Sequence, residues 1–103
     1  MDAVFIVAII KPKEGKLEEV QARVKGLAEI VEKEEPECVS YGLFTNEKEG
    51  TIVIIERYKD QAAAEAHRNT PHFAEAIKAG DDWLAEPTKV YPLSNFGGFS
   101  RGS

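Results

Sequence analysis

Glu56, Tyr58, His67 and His72 lie within seventeen residues of one another, inside the stretch IVIIERYKDQAAAEAHRNTPHF from Ile52 to Phe73. A carboxylate, a phenol and two imidazoles are groups that can accept, hold and return protons. Glu56 alternates with Ile52, Ile54 and Tyr58 on one face of an apolar strand, whereas Val53, Ile55 and Arg57 share the other. A carboxylate in line with two isoleucines is expensive to bury without a partner. A histidine on the following helix is the obvious one; the alternative is a strand-end glutamate that reaches solvent or a lysine. His67 comes one turn after Ala63, on the small-residue face that should turn towards the sheet. It reads either as a proton-transfer group oriented by Glu56 or as a half-buried structural histidine. His72 stands at the second position of a restarted helix. A neutral imidazole there can accept a proton or donate a hydrogen bond to a substrate oxygen, or it can be a surface residue in a capping segment.

Three neighbours are candidate ligand contacts. Asn69, in the break between two helical stretches, either points its amide into a pocket or ends a helix with left-handed φ. Phe73, one turn before Ile77, is most simply core, beside any ligand that His72 would meet. Trp83, the only tryptophan, either walls a cavity or covers the core. Other chemistries find no pattern. Gly97-Gly98 lies in the tail without a following helix, so no phosphate loop is read. His67 and His72 are five residues apart across a helix break, which is no zinc spacing, and no metal is expected. Cys38, the single cysteine, has no evident activator and permits no intrachain disulfide.

The elements that must position these groups follow from periodicity. Val4–Ile10 is apolar throughout and reads as a strand buried on both faces. Pro12 and Gly15 end it. Leu17, Val20, Val24, Leu27 and Val31 recur at helical spacing, so a helix is expected from Lys16 to about Glu34, before Pro36. Glu32 to Glu37 reads as a solvated helix end and loop. Cys38–Thr45 and Thr51–Tyr58 form a hairpin around Asn46–Gly50. Asp60 caps a helix over Gln61–Arg68. Thr70, with Pro71 at the first helical position, caps a second that Gly80 should end near Ala79. Asp81–Ala85 is expected to add one short turn, and Pro87–Pro92 to hold the last strand.

The order βαββαβ is a ferredoxin-like α+β fold, with a domain over residues 1–93 and a tail over 94–103. Two helical regions cover only one face of a four-stranded sheet, yet Val4–Ile10 and Ile52–Ile55 are apolar on both. A homodimer with two antiparallel sheets packed face to face is therefore expected. Phe96 and Phe99 either anchor the tail on a partner or belong to a frayed end. A net charge of −5 argues against nucleic acid and anionic membrane as partners. The seven-residue apolar start is too short to span a bilayer, and a cytoplasmic setting is the default.

The pattern strand-E-x-Y-x-D, then A-x-x-H, then T-P-H-F resembles the antibiotic biosynthesis monooxygenase family, over roughly Ala3 to Tyr91. The resemblance implies a dimeric α/β barrel and a cofactor-independent monooxygenase acting on an electron-rich phenol, anthrone or quinol. A deprotonated substrate of that kind can itself donate an electron to dioxygen, so neither flavin nor metal is called for. His67, oriented by Glu56, would be the base. His72, Asn69 or Tyr58 would hold the substrate oxygens. Asn69 and Trp83 correspond to an Asn and a Trp that some members place around a planar polycyclic substrate, and Phe73 is a further candidate contact. The alternatives are an isomerase, hydratase or lyase using the same Glu-His pair on a small oxygenated metabolite, and a non-catalytic, stress-associated binding dimer. Haem binding is a further alternative, although the N-terminal strand offers no Asn.

Overall fold

Hydrophobic alternation builds the sheet and helical periodicity covers one side of it. In a computed structural model, which describes residues 3–102, β1 (Val4–Ile10) occupies an inner position. Residues 1, 2 and 103, at the ends of the expected domain and tail, lie outside the described residues. Helix α1 (Leu17–Glu34) leads to the hairpin β2 (Cys38–Asn46) and β3 (Thr51–Tyr58). Helices α2 (Gln61–Arg68) and α3 (Pro71–Trp83) follow, and β4 (Lys89–Leu93) closes the sheet. The strand order is β2-β3-β1-β4, every pair antiparallel. This is the ferredoxin-like arrangement, with its second helical region split in two.

The turns and caps obey local chemistry. Gly50 closes the β2–β3 hairpin at φ +66, a left-handed conformation that a Cβ would strain. The Asp60 carboxylate accepts from the backbone N–H of Ala63 at 2.8 Å, and Thr70 Oγ1 accepts from that of Phe73 at 3.2 Å. One expectation fails at Gly80. The helix runs through it to Trp83, whose carbonyl accepts from the Lys13 N–H at 2.9 Å. A Cβ at Gly80 would lie 3.1 Å from the Leu84 side chain, so glycine here makes room for packing rather than stopping the helix.

All three helices lie on one face of the sheet. On that face Ala8, Ile10, Ile52 and Ile54 pack with Val20 and Val24 of α1 into an apolar cluster. Further along the same face, Tyr58, Ala63 and Ala64 form a second cluster. The opposite face is uncovered in the single chain, so β1 is buried on one side only. Phe5, Val7 and Ile9 are half-buried, and Ile55, Phe44, Tyr91 and Leu93 are exposed. In the tail, Phe96 and Phe99 are exposed as well.

The β2–β3 ladder carries one irregularity. Cys38 pairs with Tyr58 but Ser40 pairs with Arg57, leaving Val39 as a bulge. Without it, Cys38 and Tyr41, three residues apart, would point to opposite faces. With it, both face the helices, beside Tyr58 and Glu56 respectively.

Candidate active site

The second cluster is where the chemistry-bearing side chains meet. Strand β3 delivers Glu56 and Tyr58 to the helix-covered face, where both are buried. The Tyr58 hydroxyl donates to Glu56 Oε1 at 2.6 Å, so the carboxylate has a partner where the dielectric is low. Helix α2 turns Ala63, Ala64 and His67 to the sheet, and the small alanines let the imidazole approach it. His67 is 4% exposed and is ringed by aromatics. Its ring centroid lies 5.4 Å from that of Tyr58, 6.1 Å from Tyr41 and 5.2 Å from Phe73, the last edge-on.

The residue that ties the site together is Glu35, the C-cap of α1. Its carboxylate lies 2.9 Å from His67 Nδ1 through either oxygen, and Oε2 lies 2.5 Å from His72 Nε2. One carboxylate therefore joins imidazoles from two helices. The simplest assignment has each ring nitrogen donating its proton to Glu35. His67 Nε2 then faces Glu56 Oε1 at 3.9 Å, too far for a direct hydrogen bond. The carboxylate that orients His67 is thus Glu35, which sequence reading had assigned to a solvated helix end. The visible signal was its place before Pro36, where α1 must stop and its last side chain can fold back to the sheet. Nothing in the spacing linked it to histidines more than thirty residues away.

The other expected contacts separate. Phe73 is beside His67, as described. The Asn69 side chain donates to the Glu65 backbone carbonyl at 3.1 Å and is exposed, so it points away from the site. Its φ of −99 is right-handed, so the residue ends α2 without the left-handed turn. Trp83 belongs to the apolar cluster, with the Arg23 guanidinium 4.0 Å from its ring centroid. The unbroken helix explains this. Trp83 lies eleven steps along α3 from His72, about 16 Å of rise. Trp83 is at the far end of the helix.

Burial and mutual repulsion set the electrostatics. Burial raises the pKa of Glu56, and the Glu35 carboxylate adds to this. The Tyr58 hydrogen bond and His67 oppose it. Burial also pushes the Tyr58 and Tyr41 phenols up, with Glu56 reinforcing both, so they remain protonated donors. The Cys38 thiol is pushed up to about 11 by burial, then by Glu35 and Glu56, which makes it a poor nucleophile. Outside this cluster an open groove of about 630 Å³ runs between the end of α1 and the start of α3. Ile30, Lys33, Glu34, Thr70, Pro71, His72 and Glu75 line it. His72, 12% exposed at its side chain, is the member of the triad at the groove wall.

The arrangement has relatives. A Bacillus subtilis protein named "Putative monooxygenase YcnE" is 33% identical over 88 residues, covering 84% of this chain and 92% of its own length. An uncharacterized Synechocystis protein, sll1783, is 31% identical over 96 residues; the chain spans 65% of that relative's length. Among solved structures, Rv0793 from Mycobacterium tuberculosis superposes with a TM-score of 0.84 at 24% identity, covering 95% of this chain and 99% of that one, a likeness of fold. A Caulobacter crescentus protein described as a "putative antibiotic biosynthesis monooxygenase" superposes with a TM-score of 0.83 at 26% identity, covering 93% of this chain and 92% of that one. The antibiotic biosynthesis monooxygenase family pattern itself matches residues 3–79, which hold every group of the Glu35–His67–His72 cluster together with Glu56 and Tyr58. By that match, the chain belongs to the antibiotic biosynthesis monooxygenase family.

Proposed function

We propose that the protein is a cofactor-independent monooxygenase that oxidises an electron-rich phenol, anthrone or quinol with dioxygen. The observation that carries this reading is the Glu35 carboxylate shared by two imidazoles, one of them in the wall of a groove of ligand size. With its Nε2–H donated to Glu35, His72 keeps Nδ1 as a proton acceptor. Glu35 then stabilises the imidazolium that forms, and His67 fixes Glu35 from behind. The base is thus His72, which the groove reaches, and His67 and Glu35 position it. An anthrone-type carbanion adds dioxygen to give a hydroperoxide. Loss of water leaves a carbonyl, with one oxygen in the product and the other in water, so no external reductant is consumed.

Oxygen uptake by the purified, metal-stripped protein, across a panel of anthrones, naphthalenediols and quinols, tests the reading. Uptake above autoxidation that disappears in His72→Ala is the expected result. Turnover that persists under strict anaerobiosis would replace it with an isomerase or lyase. Glu56, which burial holds towards its protonated form, gives that second reading an acid opposite the imidazoles.

We propose further that two copies associate through the uncovered sheet face, where Phe44, Ile55, Tyr91 and Leu93 are exposed. Sedimentation equilibrium at twice the chain mass, reverting to the monomer in Ile55→Asp, is the expected outcome.

A further inference from the structure

We propose that Glu35, His67 and His72 also form a binding site for one divalent transition-metal ion of the zinc class. Sequence spacing gives no expectation of such a site, because His67 and His72 stand five residues apart across a helix break and Glu35 is remote from both. In the fold, one ligand atom from each residue lies within 4.8 Å of the other two. Two imidazole nitrogens and one carboxylate form a donor set suited to zinc and its neighbours. It does not suit calcium or magnesium, which take oxygen ligands. Three protein ligands leave one position open, as in zinc sites that also bind water or a small anion.

The surroundings fit a bound ion. At present the ligand atoms touch through hydrogen bonds, with Glu35 Oε2 2.9 Å from His67 Nδ1 and 2.5 Å from His72 Nε2. An ion at about 2.0–2.1 Å from each donor needs those atoms roughly 3.3 Å apart, so the two carboxylate–imidazole pairs open by less than about 1 Å, and the two nitrogens already lie within 4.8 Å of each other. No proton has to leave the protein. The His67 proton moves from Nδ1 to Nε2, and that of His72 from Nε2 to Nδ1. His67 Nε2–H then faces the Glu56 carboxylate, now 3.9 Å away, which Tyr58 holds at 2.6 Å. A carboxylate behind a ligating imidazole is the usual means of fixing its tautomer and orientation.

The site uses the side chains of the proposed proton transfer but does not rest on it. A metal on His72 Nε2 puts the ring proton on Nδ1, so zinc inhibits turnover if that transfer occurs. Titration of untagged, metal-stripped protein with zinc, followed by calorimetry, tests binding without any substrate. One ion per chain is expected, with affinity falling at least tenfold in Glu35→Gln and in His72→Ala. Cobalt in its place should give the visible absorption of a four- or five-coordinate ion. Because a variant can fail to fold, imidazole ¹⁵N shifts of the unaltered protein supply a second readout. Zinc should move the Nδ1 resonance of His67 and the Nε2 resonance of His72. Absence of stoichiometric binding, binding indifferent to both substitutions, or unmoved imidazole shifts would overturn the proposal. Oxygen uptake could still be intact in those cases, just as zinc could bind a chain with no uptake, so the two readings fail separately.

Discussion

The helix-covered face of the sheet holds two regions built from the same strands to opposite rules. At one end, Ala8, Ile10, Ile52 and Ile54 meet Val20 and Val24, and every contact is hydrocarbon. At the other, four residues further along β3, the hydrogen-bonded pair Glu56 and Tyr58 faces His67 at 3.9 Å, and Glu35 joins His67 to His72. The first region gains stability from apolar area removed from water. The second buries a carboxylate beside aromatic rings, and its polar atoms must satisfy one another. Among the described residues, no buried side-chain polar atom lacks a partner. A small domain can thus divide one sheet face into a part filled with hydrocarbon and a part that gathers its buried titratable groups.

Substitutions should separate the two regions. The largest effect is expected from His72→Ala, which should lower turnover by about 10²–10⁴-fold, the usual worth of a general base. Its melting temperature should fall far less than that of a core variant; steady-state oxygen uptake and calorimetry on one sample check both. Ile54→Ala, 3% exposed in the hydrocarbon region, should behave in reverse. It should lose about 2–5 kcal/mol in urea unfolding while folded molecules keep their turnover.

Tyr58→Phe lies on the boundary and should cost about 1–3 kcal/mol, because a buried carboxylate oxygen loses its donor. A near-neutral result would mean that water or another donor replaces the hydroxyl. Glu56→Gln tests the polar region through pH. The folded-state pKa of Glu56 is raised, so its contribution to stability is fully present below the unfolded carboxyl pKa and is lost as pH rises through the folded value. The melting temperature of the variant relative to the parent should therefore climb across that window and then level off. A flat difference from pH 4 to 8 would show that Glu56 titrates normally. The smallest effect concerns Cys38. With its thiol pushed up to about 11, alkylation by iodoacetamide at pH 8 should be far slower than for an exposed cysteine.

The hydrocarbon region was legible in the sequence. Leu17, Val20, Val24 and Val31 mark α1 by period, and the alternation of β3 places Ile52, Ile54, Glu56 and Tyr58 on one face. The caps Asp60 and Thr70 located α2 and α3. The polar region was only half legible, because local pattern shows which way a side chain points but not what it meets. His67 was correctly turned to the sheet, yet its nearest carboxylate arrives from the end of α1, through a contact that only tertiary packing creates. Of the two roles open to Trp83 the structure takes the core-covering one: Gly80 suggested a helix end, but its missing Cβ accommodates Leu84 and lets α3 carry the indole to the apolar cluster. Of the two roles open to Asn69 the structure takes the helix end, where a backbone carbonyl one turn earlier holds its amide.

Val39, the one unpaired residue of the β2–β3 ladder, has a consequence that its exposed side chain conceals. By adding an odd step it changes the parity of the strand between Tyr41 and Cys38, so that everything N-terminal to it is phased differently from everything after. The short Glu35–Pro36–Glu37 connection is attached on the early side of that step. Flattening the bulge with Val39 kept, so that Val39 pairs with Tyr58, would turn Cys38 to the opposite face and shift the end of α1 by one residue along β3, whereas deleting Val39 would leave Cys38 opposite Tyr58. In the flattened register Glu35 would lose its aim at both histidines, so a one-residue slip at the sheet edge would dismantle a centre it never touches, while the deletion would spare it.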